Sequence, residues 1–64
     1  MAVITVHGFH FVVPTGSKEF DEFKKSEEAR REELLSNRSR TTAEHRELVA
    51  LERLLYILPE FAPD

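Results

Sequence analysis

Residues 1–17 contain no Asp, Glu, Lys or Arg, whereas the stretch that begins at Lys18 is densely charged. The uncharged segment is rich in β-branched and aromatic residues, which favour strands, and the charged segments after it have the composition of solvated helices. An apolar strand module of this kind must be buried against something else. We therefore predict a small α+β domain in which an N-terminal strand module packs against two helices.

The chain has 64 residues and no cysteine, so disulfides cannot reinforce its core. A domain of roughly this length buries only about 60% of its unfolded surface, and oligomerisation is one way to bury more. Its hydrophobic and charged fractions, 41% and 33%, are typical of a folded globular chain. We expect a single cytoplasmic domain over residues 1–64, without a membrane-spanning segment.

The dipeptide His7-Gly8 divides residues 3–13 into two short apolar runs and predicts a β-hairpin with a two-residue loop. In that register one face carries only apolar side chains, namely Ala2, Ile4, Val6, Phe9, Phe11 and Val13. The alternative is one continuous strand that is buried on both faces, for instance by pairing with its symmetry mate in a dimer. The hairpin sorts the side chains more cleanly and is favoured.

Capping residues and breakers predict the remaining elements. Ser17 is the expected N-cap of the first helix, and Asn37 can end that helix in the left-handed conformation. Thr41 and Glu44 fit a capping box at the start of the second helix, and Pro59 ends that helix. The predicted segments are a strand module (1–14), a charged helix (17–36, helical over about 18–35), a polar loop (37–41), an apolar helix (42–58) and a tail (59–64). The two helices are expected to form a helical hairpin.

The second helix carries leucines at intervals of three, four and three residues, which is the seam of a helix that packs against another helix. Further apolar residues widen that seam, and the first helix is largely polar. One hairpin and one largely polar helix cannot cover so much surface, so we predict a homodimer built on the second helix. The predicted oligomer interface consists of Leu48, Leu51, Leu54, Leu55 and Leu58.

No catalytic, cofactor-binding or metal-binding residue is predicted, and the chain is not expected to be an enzyme. His7 and His10 have a spacing that metal ligands use, but a turn and a strand face explain them better, and no cysteine accompanies them. Gly8 and Gly16 stand alone, so there is no glycine-rich phosphate loop. No cofactor is therefore expected.

Arginines concentrate around the polar loop, at the start of the second helix. A helix N-terminus flanked by arginines can hold an anion, a phosphate or an acidic partner surface; the competing interpretation is a loop that is simply solvated. In the tail, Phe61 either folds back onto the core, which is favoured, or serves as an exposed anchor for a partner. The candidate partner-binding residues are Arg30, Arg31, Arg38, Arg40, Arg46 and Phe61.

Two functions are compatible with this pattern. The first is a small non-enzymatic regulator that binds another protein as an inhibitor or adaptor, a type common among phages and other mobile elements, and that acts as a helix-mediated homo-oligomer. The second follows from element order, because a strand followed by two helices is similar to a ribbon-helix-helix domain, which dimerises through its strand and reads DNA with it. That resemblance implies a DNA-binding repressor or antitoxin. The net charge of −3, and a strand segment whose polar groups are Thr5, His7 and His10, favour the protein-binding regulator over nucleic-acid binding.

Overall fold

The structure, a computed structural model, describes residues 2–63 and forms a small α+β fold in which a two-stranded antiparallel hairpin precedes two helices. The elements are β1 (Ala2–Val6), β2 (Phe9–Val13), α1 (Ser17–Ser36), α2 (Thr42–Ile57) and a 3₁₀ turn (Leu58–Phe61). Met1 and Asp64, which the predicted segments 1–14 and 59–64 include, lie outside the described residues. The helices pack against each other as the predicted helical hairpin, and α2 also packs against β1.

The predicted hairpin and its register are confirmed. Val6 pairs with Phe9 beside the loop, and the ladder continues to the pair of Ala2 with Val13. Both loop residues have positive φ, 50° at His7 and 83° at Gly8, as a tight two-residue hairpin loop requires. Glycine adopts this conformation without cost, whereas a histidine does so uncommonly. The ladder thus holds His7 in a backbone conformation that an isolated histidine disfavours.

The start of α1 differs from the prediction. Ser17 is already helical, and Gly16 occupies the N-cap position without a side-chain hydrogen bond, so the prediction that Ser17 caps the helix is wrong. The carboxylate of Glu19 lies directly against Gly16, where it would collide with a side chain at that position. Glu19 brings negative charge to the positive end of the helix.

At the other end of α1, Asn37 is extended, with φ −88° and ψ 102°, and not left-handed as the sequence suggested. Its backbone N–H donates to the carbonyl of Leu34 at 3.2 Å, and its side-chain oxygen accepts from the amide of Ser39 at 3.0 Å. The Arg40 Nη1 atom also donates to the Leu34 carbonyl, at 3.0 Å, and to the Asn37 carbonyl, at 3.2 Å. An arginine side chain from the loop therefore satisfies the exposed end of the helix, so a left-handed residue is not needed there.

The capping box of α2 is confirmed. The Glu44 amide donates to the Thr41 hydroxyl at 3.1 Å, and the Thr41 amide donates to the Glu44 carboxylate at 3.1 Å. The helix ends at Ile57, one residue before the predicted end, and the chain continues into the 3₁₀ turn. Pro59 lies near the start of that turn, where its missing N–H is not required.

The core lies between the inner face of the hairpin and the facing sides of both helices. Its buried members are Ile4, Val6, Val13, Phe20, Leu34, Leu48, Ala50, Leu51, Leu54 and Leu58. Four of the five leucines predicted to form an oligomer interface are thus buried within the chain, and Leu55 is partly buried. The premise that one chain could not cover this seam is wrong, because the hairpin, Phe20 and Leu34 cover it. The homodimer stays a prediction, but the leucine seam of α2 no longer supports it.

Two further expectations concern the order of the elements and the tail. Because the strand segment folds back on itself, two strands precede the helices, and the order strand, helix, helix of a ribbon-helix-helix domain does not apply. Phe61 is 42% exposed and is not part of the core cluster, so its fold-back onto the core stays a prediction. Neither helix within residues 2–63 has the length and apolar composition needed to cross a bilayer.

Candidate interaction surface

Arg30 joins the two helices. Its Nε and Nη2 atoms donate to the two carboxylate oxygens of Glu47 on α2, at 2.6 and 3.2 Å, and its Nη1 atom pairs with Glu33 at 3.2 Å. The hydrogen bonds that Arg30 donates to Glu47, and then the one that it donates to Glu33, raise the pKa of Arg30 above its usual range. Such a two-point contact fixes geometry as well as charge. The guanidinium is therefore engaged within the chain and is a poor candidate for partner binding.

Arg31 and Arg40 are also partly enclosed. The Arg31 Nη2 atom lies 3.5 Å from the carboxylate of Glu32, and Arg40 donates to carbonyls at the end of α1. In both residues the Nε atom is buried without a hydrogen-bond partner in residues 2–63. Of the five arginines predicted to bind a partner, Arg30, Arg31 and Arg40 therefore make contacts within the fold.

Arg38 and Arg46 have exposed side chains and, within the described part of the chain, no carboxylate within 4 Å. Arg38 lines a shallow depression of about 270 Å³ beside the first turn of α2, together with Arg40 and two threonines. His45 completes the lining of this depression. It is the place at which the sequence predicted an anion or acidic partner.

A second shallow depression, of about 330 Å³, lies between the hairpin loop and the outer side of α2. It is lined by His7, His45, Arg46 and Val49. His45 lines both depressions, so the two are adjacent. Among residues 2–63, no Asp or Glu lines either one. We call the five cationic or titratable residues of the two depressions the basic surface: His7, Arg38, Arg40, His45 and Arg46.

The N-terminus of α2 itself is already occupied. The Glu44 carboxylate accepts from the Thr41 amide, and the Thr41 hydroxyl accepts from the Glu44 amide. The hydrogen bond from Thr41 holds the pKa of Glu44 below its ordinary value of 4.5, so this carboxylate is ionised at neutral pH. A free phosphate at the helix end would meet that negative charge. Binding at the basic surface must therefore depend on the arginine and histidine side chains.

A stripe of exposed apolar and charged side chains, with Glu52 among them, continues from the basic surface along α2. Val49 and Tyr56 lie on the same side of the helix as His45 and are 38% and 78% exposed. The Arg53 guanidinium lies 5.8 Å from the centre of the Tyr56 ring, within the range of a cation–π contact. We call Val49, Arg53 and Tyr56 the α2 stripe.

Sequence reasoning did not select His7, His45 or the α2 stripe as site residues. The periodicity of α2 does place Val49 and Tyr56 opposite the leucine seam, and that was the available signal. Only the fold brings the hairpin loop with His7 to this side of the helix. Phe61, which was a candidate, lines neither depression.

No group of three or more His, Asp or Glu side chains in residues 2–63 is placed to hold a metal ion. Comparison of the chain with family models, curated proteins and solved structures found no match. The geometry of the surface is thus the basis for any functional proposal.

Proposed function

We propose that this chain is a small non-enzymatic regulator that binds another protein, and that its basic surface docks against an acidic segment of that partner. The observation that carries the proposal is the pair of adjacent depressions lined by three arginines and two histidines, without a lining carboxylate in the described chain. Three of the nine Lys and Arg residues lie here, so the remainder of the chain carries six against twelve Asp and Glu. The basic surface is a local exception on an acidic molecule.

The residue types also support protein binding. Arginine and tyrosine are enriched among the residues that dominate binding energy, and the α2 stripe places an exposed tyrosine beside the basic surface. Opposite charges across an interface orient the encounter and accelerate association. An acidic partner would therefore be steered by Arg38 and Arg46 and then anchored by the α2 stripe.

The conformation of His7 adds an independent argument. Its φ of 50° is one that asparagine or glycine would adopt at lower cost. Residues held in sparsely populated backbone regions concentrate at functional sites. His7 lines the larger depression, so a role in binding would explain why a histidine is found in this turn.

A reverse-charge pair tests the proposal. The variant Arg38→Glu, Arg46→Glu alters the two arginines of the basic surface that make neither an ion pair nor a side-chain hydrogen bond within residues 2–63, and it leaves Arg40 to cap α1. The matched control is Lys18→Glu, Lys24→Glu, which changes net charge equally on exposed positions of α1. Proteins captured from a lysate of the source organism would be compared quantitatively for the wild type and both variants.

We expect one acidic protein to be captured by the wild type and by the lysine control but not by the arginine variant. Equal capture by all three chains would refute a role for the basic surface. Titration with mixed duplex DNA at low and moderate salt tests the alternative, the DNA-binding repressor. Salt-dependent DNA binding that the arginine variant loses would replace the proposed acidic protein with nucleic acid.

A further inference from the structure

β2 is an edge strand with unpaired backbone groups. In a hairpin with a two-residue loop the pair beside the loop is hydrogen-bonded, and non-hydrogen-bonded pairs alternate with it. Thr5 with His10, and Val3 with Val12, are therefore the non-hydrogen-bonded pairs. The 3.0 Å contact between Thr5 Oγ1 and His10 Nδ1 fits their close spacing. The backbone N–H and C=O groups of His10 and Val12 thus point away from β1, and no described residue hydrogen-bonds to them.

The inner face of the hairpin is buried unevenly. On β1, which packs against α2, Ile4 and Val6 are buried and only 6% and 7% exposed. On β2, Phe9 and Phe11 are only half-buried, although they stack with ring centroids 6.5 Å apart. On the outer face of β2, Val12 is 51% exposed. Val13 at the end of β2 is buried, and Val3 on the outer face of β1 is as exposed as Val12, so the feature specific to β2 is the incomplete cover of Phe9 and Phe11.

The edge also lacks the usual protection against strand pairing. Natural edge strands carry charged side chains, lysine above all, or prolines that block an added strand. Residues 2–17 contain no Asp, Glu, Lys or Arg, and Pro14 lies beyond the end of β2. Two copies of this segment would meet without electrostatic repulsion, and a charged foreign strand would find no countercharge here.

We infer that β2 pairs with β2 of a second copy, antiparallel and across a two-fold axis at Phe11, to form a four-stranded sheet. In this register His10 faces the partner's Val12, and Phe11 faces the partner's Phe11. Each His10–Val12 pair exchanges both of its backbone hydrogen bonds, which satisfies the outward groups of both residues. The half-buried phenylalanines of the two copies then cover one another.

This arrangement is independent of the basic surface, and it places the predicted homodimer on the hairpin instead of the leucine seam. A second copy is the occupant that matches the edge best, because the strand is complementary to itself in backbone register, aromatic surface and absence of charge. A different protein strand would match the backbone alone.

Lysine substitutions on the two edges test the inference. Val12→Lys introduces a charge on the β2 edge, while Val3→Lys introduces the same charge on its cross-strand neighbour at the β1 edge. Both side chains are exposed on the outer face, by 51% and 62%, so folding should be retained, as far-UV circular dichroism can verify. Sedimentation equilibrium then measures the dimer dissociation constant of each chain.

We expect a dimeric wild type, a similar constant for Val3→Lys, and a constant raised at least about tenfold for Val12→Lys. A wild type that remains monomeric at the highest soluble concentration would overturn the inference, and so would equal effects of the two substitutions.

Cysteine cross-linking tests the register without relying on a destabilised edge. The native residues include no cysteine, so single His10→Cys and Val12→Cys chains can be mixed and oxidised. Their mixed disulfide dimer should form faster than either homodimer, because facing residues lie within disulfide reach. The control mixture, Thr5→Cys with Val3→Cys, belongs to the β1 edge. Equal rates in the two mixtures would exclude the β2 pairing.

Discussion

Alanine substitutions of two leucines that lie one turn apart on α2 can distinguish burial within the chain from burial by a second copy. Leu51 is 1% exposed in the core, whereas Leu55 is partly buried at its border. Leu51→Ala removes fully enclosed methyl groups and leaves a cavity, which costs about 3 kcal/mol or more. Leu55→Ala removes a side chain that is only partly withdrawn from water, and about 1 kcal/mol is expected. The structure therefore predicts a difference of roughly threefold between the two losses.

Urea denaturation followed by far-UV circular dichroism measures both losses. A domain of this length has a total stability of about 3–10 kcal/mol, and its unfolding free energy falls by about 1 kcal/mol per molar urea. The midpoint should move by about 3 M for Leu51→Ala and by about 1 M for Leu55→Ala. All chains are compared at one concentration, because association adds to apparent stability.

Equal midpoint shifts, or a larger shift for Leu55→Ala, would refute the reasoning. The second result would mean that Leu55 is covered by something outside the chain, as the sequence pattern first suggested. A second copy on α2 would also make the Leu55→Ala shift depend on concentration, whereas core burial makes it independent of concentration.

Three further predictions concern polar positions. Thr41→Ala should lower the unfolding free energy by about 1 kcal/mol, because the helix loses its cap. The control Thr42→Ala, at the exposed neighbouring position, should lower it by less than about 0.5 kcal/mol. Equal losses in the two variants would contradict the capping role of Thr41. Burial, followed by a neighbouring carboxylate, raises the pKa of Glu27, whereas the cap lowers the pKa of Glu44. Glu27→Gln should therefore raise the melting temperature at neutral pH, and Glu44→Gln should lower it. Both differences should vanish in acid, where the wild-type carboxyls are protonated too, and a common sign at neutral pH would contradict the assignments. His7→Asn should add about 0.5–1 kcal/mol by relieving the positive φ, yet weaken partner capture; unchanged stability would show that the turn is not strained.

Local patterns predicted the elements well because their causes are local. The His7-Gly8 loop, the alternation of apolar residues around it and the Thr41–Glu44 box each involve neighbours in sequence, and the structure confirms all three. The end of α1 was less predictable. Arg40 reaches back to the Leu34 carbonyl, and that contact removes the need for a left-handed Asn37.

The candidate site was predicted in part. Arg38, Arg40 and Arg46 do border depressions, as their position near the start of α2 indicated, but Arg30 is bound to Glu47 across the helical hairpin. No sequence pattern predicts the pair of Arg30 with Glu47, because the two residues are 17 positions apart in the chain. His7 joined the site only through packing of the hairpin loop beside α2.

The sequence alone determined the hairpin register, the charge-free character of residues 2–17 and the two-helix order, since each rests on neighbours along the chain. The tertiary structure decided how the apolar surface is divided. It buried the Leu51 side of α2 within the chain and left Phe9, Phe11 and Val12 as the incompletely covered border. The physical reason is that the hydrophobic effect is not directional. Sequence periodicity therefore identifies an apolar face that must be buried, but only three-dimensional packing determines which residues cover it.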